Sequence, residues 1–323
     1  ELPSAETPIG HVTNGVHARS WVSDRVDELL TQTMGDEWHL ADERDWARVS
    51  ELDHGDIWTV RSDGRRELVE MVHERLGESV LDPDVLTIGF ARRFASYKRG
   101  ALLFRDPERL ARLLTDLRRP VQLIFAGKAH PADDDGKRIL QEVWRATRDP
   151  RFEGRIAFME DYDLLVAHRM VRGVDLWLNL PRVPKEASGT SGMKAALNGV
   201  PQLSTKDGWW EEGFNGSNGW MLPLAQGGAD EVDAADYEAV FDLLENEIVP
   251  LYYDRDMDGV PRGWVKVMKE AIVMAGKEFT TGRMVRDYCE QYYVAALQGR
   301  VEKDDRPVFA DPVFLEDVAP AGD

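Results

Sequence analysis

Cysteine is nearly absent from these 323 residues: Cys289 stands alone. One thiol excludes an intrachain disulfide and fits a reducing, cytoplasmic setting. Long apolar runs are absent too, so the sequence carries no signal for a membrane-spanning helix, and no signal peptide opens it. Positive charge is scarce. Forty Lys and Arg face 59 Asp and Glu, for a net charge of −19 at pH 7. A surface of that sign repels nucleic acid and anionic membranes, so an anionic ligand would need a local basic pocket working against the global field. The pattern GxxxxGK[ST] is missing, which excludes a P-loop despite the pair Gly127-Lys128. No internal repeat is visible. The opening "ELPSAETPIGHVTNGVH" has no initiating Met and a loop-like composition; it reads as the interior of a longer chain, and the sequence is expected to be a fragment.

What is present points to a globular α/β protein. Hydrophobic residues make up 43% and charged residues 31%, enough apolar mass for a sizeable core. Short apolar runs at 84–91 ("DVLTIGFA"), 121–127 ("VQLIFAG"), 155–160 ("RIAFME"), 174–181 ("VDLWLNLP") and 199–205 ("GVPQLST") alternate with stretches of helical spacing. Near-continuous apolar strands joined by helical crossovers predict a parallel sheet covered on both faces. The expected architecture is a Rossmann-like doubly wound domain, with ligands at the carboxyl ends of its strands. Residues 22–80 and 229–300 are helical in pattern. The Pro-rich acidic tail reads as irregular.

Basic residues gather where the strands end. "ARRFASYKR" (91–99) follows the first strand and places Arg92, Arg93, Lys98 and Arg99 within eight residues. Such a cluster suits a phosphate. The alternative is a solvated helix start, although cations there oppose the helix dipole. After the second strand, "AGKAHPADDDGK" (126–137) reads as a Pro-led helix start with ordinary acidic capping, and His130 as structural. The fourth strand runs into "KEASGTSGMKAALNG" (185–199), a small-residue turn with one amine, Lys194, inside the helix that follows. Taken alone, this could be a tight turn with a solvated lysine. Alternatively, Thr190, Ser191 and Gly192 present free backbone N–H groups to an anion. In that case Lys194, in the first helical turn, has its ammonium disfavoured by the positive helix end. A lysine of lowered pKa beside a phosphate cradle meets the needs of covalent pyridoxal phosphate attachment. Glu186 offers a carboxylate to a sugar hydroxyl.

"EASGTSGMKAALN" (186–198) resembles the pyridoxal-phosphate motif of the α-glucan phosphorylases, which comprise the glycogen, starch and maltodextrin phosphorylases. Every fixed position of that motif is met here, including Met193, Lys194 and Asn198. "RRFASYKR" resembles the family's phosphate-binding stretch, "HVTNGVHARSW" (11–21) its "NGV" segment, and "AGKAHP" also has a counterpart. The resemblance runs from about residue 11 to 225. It implies pyridoxal 5'-phosphate held covalently at Lys194, with Arg92, Thr190, Ser191 and Tyr162 around the cofactor. It further implies substrate phosphate on Arg93 and Lys98, and glucose on Glu186, Ser188, Gly189 and His17. No metal is implied. The reaction implied is retaining cleavage of a terminal α-1,4 bond of a glucan or maltodextrin by inorganic phosphate, giving glucose 1-phosphate.

The family's fold implies a GT-B arrangement of two Rossmann-like domains. Residues 1–80 would then be the end of the N-terminal domain with connecting helices. Residues 81–300 would be the C-terminal domain, and 301–323 an irregular tail. The rest of the N-terminal domain, one wall of the cleft, would belong to the same polypeptide, and the full enzyme could form a homodimer. The fragment is expected to fold but to turn over little. Asp163 stands where animal-type enzymes carry Arg, and "DGWWEEGFNGSNGW" (207–220) replaces their corresponding segment, which places the chain in a bacterial-type branch. Two rivals stay open: a GT-B glycosyltransferase using a sugar nucleotide without pyridoxal phosphate, and a non-catalytic glucan-binding fragment.

Overall fold

A computed structural model describes residues 10–77 and 81–298. Six strands, β1 (Leu86–Ala91), β2 (Val121–Ala126), β3 (Ile156–Met159), β4 (Leu176–Asn179), β5 (Gln202–Ser204) and β6 (Gly219–Met221), form one parallel sheet of order β3-β2-β1-β4-β5-β6. This is the doubly wound order, and it reverses direction between β1 and β4. Before β1 the chain forms α1 (Ala18–Trp21), α2 (Asp24–Met34), α3 (Glu43–Ala47) and α4 (His54–Leu76). The crossovers carry α5 (Pro107–Leu114), α6 (Asp134–Ala146), α7 (Leu164–Gly173), α8 (Thr190–Leu197) and α9 (Trp209–Gly213). After the sheet come α10 (Ala229–Leu243), α11 (Val249–Tyr253), α12 (Arg262–Glu278), α13 (Thr281–Tyr288) and α14 (Val294–Leu297).

β1 to β4 are buried along their whole length because helices cover both faces of the sheet. Side chains still alternate between two cores. Leu123 and Phe125 of β2 join Ile88, Phe90, Ile156 and Phe158 on one side. Ile124 and Ala126 join Ala157, Met159 and Trp177 on the other, where Val69 and Val72 of α4 meet Val166 and Met170 of α7. Gly89 is required in β1, since a Cβ there would lie 2.6 Å from a Val174 methyl at the start of the approach to β4. A third core joins Val26, Leu30, Trp38 and Trp46 to Met193 and Leu197 of α8 and to Ile272 and Ala275 of α12. The helices before the sheet therefore pack directly on the helix that carries Lys194.

All five expected strands form. The sixth, β6, has no counterpart in the sequence reading: it is three residues long, begins at Gly219, and is held by pairing Gln202 with Gly219 and Ser204 with Met221. The helix after Pro131 does not start on that proline. Its cap is Asp133, whose carboxylate accepts the Gly136 N–H, and the first helical residue is Asp134. His130 is spent locally, accepting the Ala132 N–H at 3.1 Å. The C-terminal helical stretch divides at Phe279 and Thr280. There the backbone pairs with Val16, and Thr280 caps α13 through the Arg283 N–H. The tail expected at 301–323 lies outside the described residues.

Candidate active site

The strand order reverses between β1 and β4, and both basic stretches leave the sheet there. β1 ends at Ala91 and hands over to Arg92; β4 ends at Asn179 and leads through the 180–189 loop into α8. In open α/β sheets this crevice is where ligands bind. Across it, Glu186 meets two cations. Its carboxylate accepts from Arg92 Nη2 at 2.5 Å and from Lys98 Nζ at 3.0 and 3.3 Å. All three side chains are about 8% exposed, so each charge depends on the others. Arg92 keeps Nε and Nη1 buried with no partner among the described residues. Burial pushes its pKa down and the Glu186 carboxylate opposes that push. One carboxylate facing two buried cations leaves a net positive pocket in an acidic protein, with N–H groups to spare for an anion.

The loop is held from below. Asp207 accepts the Glu186 N–H at 2.8 Å and the Gly208 N–H at 2.9 Å. Trp209 N–H donates to Ser188 O at 2.9 Å. Burial raises the Asp207 pKa. Gly208, at φ 58°, allows this turn to pass against Ser188 O.

The head of α8 completes the pocket. Its N-cap is Gly189 in the left-handed conformation (φ 86°, ψ 47°), and a Cβ there would lie 3.5 Å from Glu186 Cγ. The amides of Thr190 and Ser191 open the helix and donate to no acceptor among the described residues. Lys194 is the fifth residue of α8, one turn beyond the first-turn position expected from sequence. Its ammonium lies 3.7 Å from the Trp21 ring centroid, and its side chain has no hydrogen bond or carboxylate partner among the described residues. Burial lowers its pKa.

The other expected residues fall into two groups. Arg92, Lys98, Glu186, Ser188 and Gly189 come together, and the Tyr162 ring lies close enough for Arg92 to oppose the rise that burial causes in its pKa. Ser188 Oγ is buried without a partner among the described residues. Arg93 stands apart: it is exposed and makes no ion pair among the described residues. Arg99 is structural, at φ 50°, with its guanidinium on Leu180 O at 2.8 Å and on Asp233 and Asp236 at 3.0 and 2.6 Å. His17 is exposed, with Nδ1 bonded to Ser20 Oγ at 2.7 Å. Asp163 caps α7 by accepting the Val166 N–H at 2.8 Å.

A model of the carbohydrate phosphorylase family matches residues 5–211, from before α1 to within α9. The chain belongs to that family. Within it, the chain is 45% identical over 311 residues to a glycogen phosphorylase of Aquifex aeolicus, covering 91% of this chain and 45% of that protein. It is 46% identical to a glycogen phosphorylase of Mycobacterium bovis (91% and 36% covered) and 39% identical to a maltodextrin phosphorylase of Thermococcus litoralis (93% and 37%). The chain thus spans less than half the length of these relatives. Two features of this pocket escaped the sequence reading. Trp21 was visible only as the last letter of "HVTNGVHARSW", and its approach to Lys194 is tertiary. Asp207 opens "DGWW", where an Asp-Gly pair signals a turn but not which loop it holds.

Proposed function

We propose that this chain is the cofactor- and phosphate-binding part of an α-1,4-glucan phosphorylase that releases glucose 1-phosphate with retention of configuration. The observation that carries this is the meeting of Arg92, Lys98 and Glu186 with the head of α8 at the reversal of strand order. Residues 1–80 would be the end of a neighbouring domain, and the rest of that domain the other wall of the cleft. A lone thiol suits the cytoplasm.

The residues suit pyridoxal 5'-phosphate. A desolvated amine without a carboxylate partner, two unpaired helix-start amides and an arginine with two unpartnered buried N–H groups fit an aldehyde bearing a phosphate. Lys194 would hold it covalently, and Arg92, Thr190 and Ser191 would hold its phosphate beside Tyr162. When bound, the cofactor supplies a second phosphate group able to exchange a proton with the substrate phosphate.

The bond that breaks joins the terminal glucose C1 to the glucan oxygen. Inorganic phosphate gives its proton to that oxygen, and one of its own oxygens bonds to C1 on the same face. No glycosidase-type carboxylate pair is called for. Lys98 would hold the substrate phosphate and offset its charge as the bond forms, and Arg93, exposed outside the pocket, would have to turn inward to join it. Glu186, Ser188 and Gly189 would orient the glucose, and His17 has Nε2 left for a hydroxyl. Because Glu186 lies on Lys98 and Arg92, an incoming dianion competes for those N–H groups and turns the carboxylate toward the sugar. Water must be kept out, since it would take the place of phosphate.

The test is borohydride reduction of the full-length holoenzyme, followed by peptide mapping and a phosphorolysis assay. Pyridoxyl label on Lys194 together with glucose 1-phosphate release is expected. Label on another lysine would overturn attachment at Lys194, and no label with no phosphorolysis would instead favour a sugar-nucleotide enzyme of the same architecture.

A further inference from the structure

Asn198 ends α8, is fully buried, and has its amide bonded three times. Its Oδ1 accepts the Ser23 N–H at 2.8 Å. Its Nδ2 donates to Trp21 O and to Lys194 O, both at 2.9 Å. Ending the helix needs none of the long-range bonds, because Gly199 already turns the chain at φ 73°. What they achieve is to bind the α1–α2 junction to the turn that carries Lys194.

The consequence falls on Trp21. Its carbonyl is held a second time by Arg172 Nε at 3.2 Å, and its ring stacks on His168 at 4.4 Å and 12°. The ring so fixed lies 3.7 Å from the Lys194 amine, which has no hydrogen bond or carboxylate partner among the described residues, and His168 behind the ring adds only like charge when protonated. A lysine stem with four rotatable bonds has many rotamers and loses them only against a wall. Trp21 is that wall, and its own backbone is fastened by Asn198.

We infer that Asn198 is a positioning residue for Lys194, acting through Trp21: its amide seats the indole, and the indole confines the amine. This rests on Lys194 being the attachment point proposed above. The motif around Lys194 thereby contains the lysine and also the anchor for its wall, drawn from a segment more than 170 residues away.

The test uses the full-length protein and two readouts. One is the rate at which a small amine-reactive reagent labels Lys194 with cofactor removed, read by peptide mass spectrometry. The other is the equilibrium retention of pyridoxal phosphate. Asn198→Asp keeps the acceptor for Ser23 and loses both donors, and Trp21→Leu removes the wall at a partly buried position. Each is expected to speed Lys194 labelling about fivefold and weaken cofactor retention roughly tenfold. The double variant should be no worse than Trp21→Leu alone, because residues acting through one contact are not additive. Trp21→Phe, which keeps a ring face, should restore most of both. Additive effects, or unchanged labelling in a folded Asn198→Asp protein, would overturn the inference. If Asn198→Asp does not fold, the Trp21 variants decide: wild-type labelling in Trp21→Leu overturns it equally. A wild-type protein that takes up no pyridoxal phosphate would sink the functional reading, while the labelling arm still judges Asn198.

Discussion

Glu186 and Lys194 show opposite ways of treating a buried charge. Glu186 compensates two cations at once. Glu186→Gln would leave Arg92 and Lys98 facing each other uncompensated, so inorganic phosphate should bind roughly tenfold more tightly while use of glucose 1-phosphate falls. Calorimetric titration with phosphate decides, and weaker binding would remove Glu186 from the pocket. Lys98→Ala deletes a shielded cation from the same pocket and should cost phosphorolysis by the full-length enzyme on the order of a hundredfold. Near-normal turnover would reduce "RRFASYKR" to a surface turn. Lys194 is left without a carboxylate partner among the described residues, and burial lowers its pKa. The folded protein therefore sheds this proton at a pH where the unfolded chain still holds it, and stability gains from this group as pH rises through that window. Attachment of pyridoxal phosphate should reach half its maximal rate at a pH below the ordinary lysine range. A midpoint at that of a surface lysine would contradict the burial.

The short helix α8 is where packing becomes chemistry. Gly192, in its first turn, faces Gln202 of β5 and Trp209 of α9, and a Cβ there would overlap Gln202 Oε1. Gly192→Ala should cost about 1–3 kcal/mol of stability through overpacking and tilt the head of the helix away from its anion. Denaturant unfolding together with cofactor titration checks both, and an unchanged protein would show that β5 can yield. At this scale much was legible. The strands at 86–91, 121–126 and 156–159 announced themselves because a sheet covered on both faces needs unbroken apolar runs. β6 did not: three residues beginning with glycine have no pattern of their own and become a strand only because β5 presents a free edge. The break at Phe279 and Thr280 was equally silent, since it is fixed by Val16 from the far end of the chain.

Across the whole molecule, the carboxyl edge of the sheet carries the cluster of Arg92, Lys98 and Glu186, and the amino edge holds the fold. At the amino edge Arg65 and Asp175 form an ion pair at 2.9 Å, each about 1% exposed, with Asp175 also accepting the Thr87 N–H and Arg65 lying 4.4 Å from the Trp58 ring. Asp175→Ala strands a buried guanidinium and should cost about 3–5 kcal/mol. Phosphate affinity of the remaining folded protein should stay unchanged, because the pair is remote from Arg92 along β1. Loss of phosphate binding at full stability would refute this division of labour.

The sequence by itself determined what local chemistry can carry: a parallel α/β sheet, the clustering of cations in "RRFASYKR" and of small residues before Lys194, and the family these motifs resemble. Apolar runs, helix-start residues and a lone lysine among small residues are local facts, and their physics needs no neighbours. Only the tertiary structure decided which of four neighbouring cations face the pocket. Arg92 and Lys98 turn inward to Glu186, Arg99 is consumed by Asp233 and Asp236, and Arg93 stays outside. It also brought Trp21 to Lys194 and Asp207 under Glu186. Partners so far apart in the chain meet only when the fold closes, and no spacing in the sequence records the distance between them.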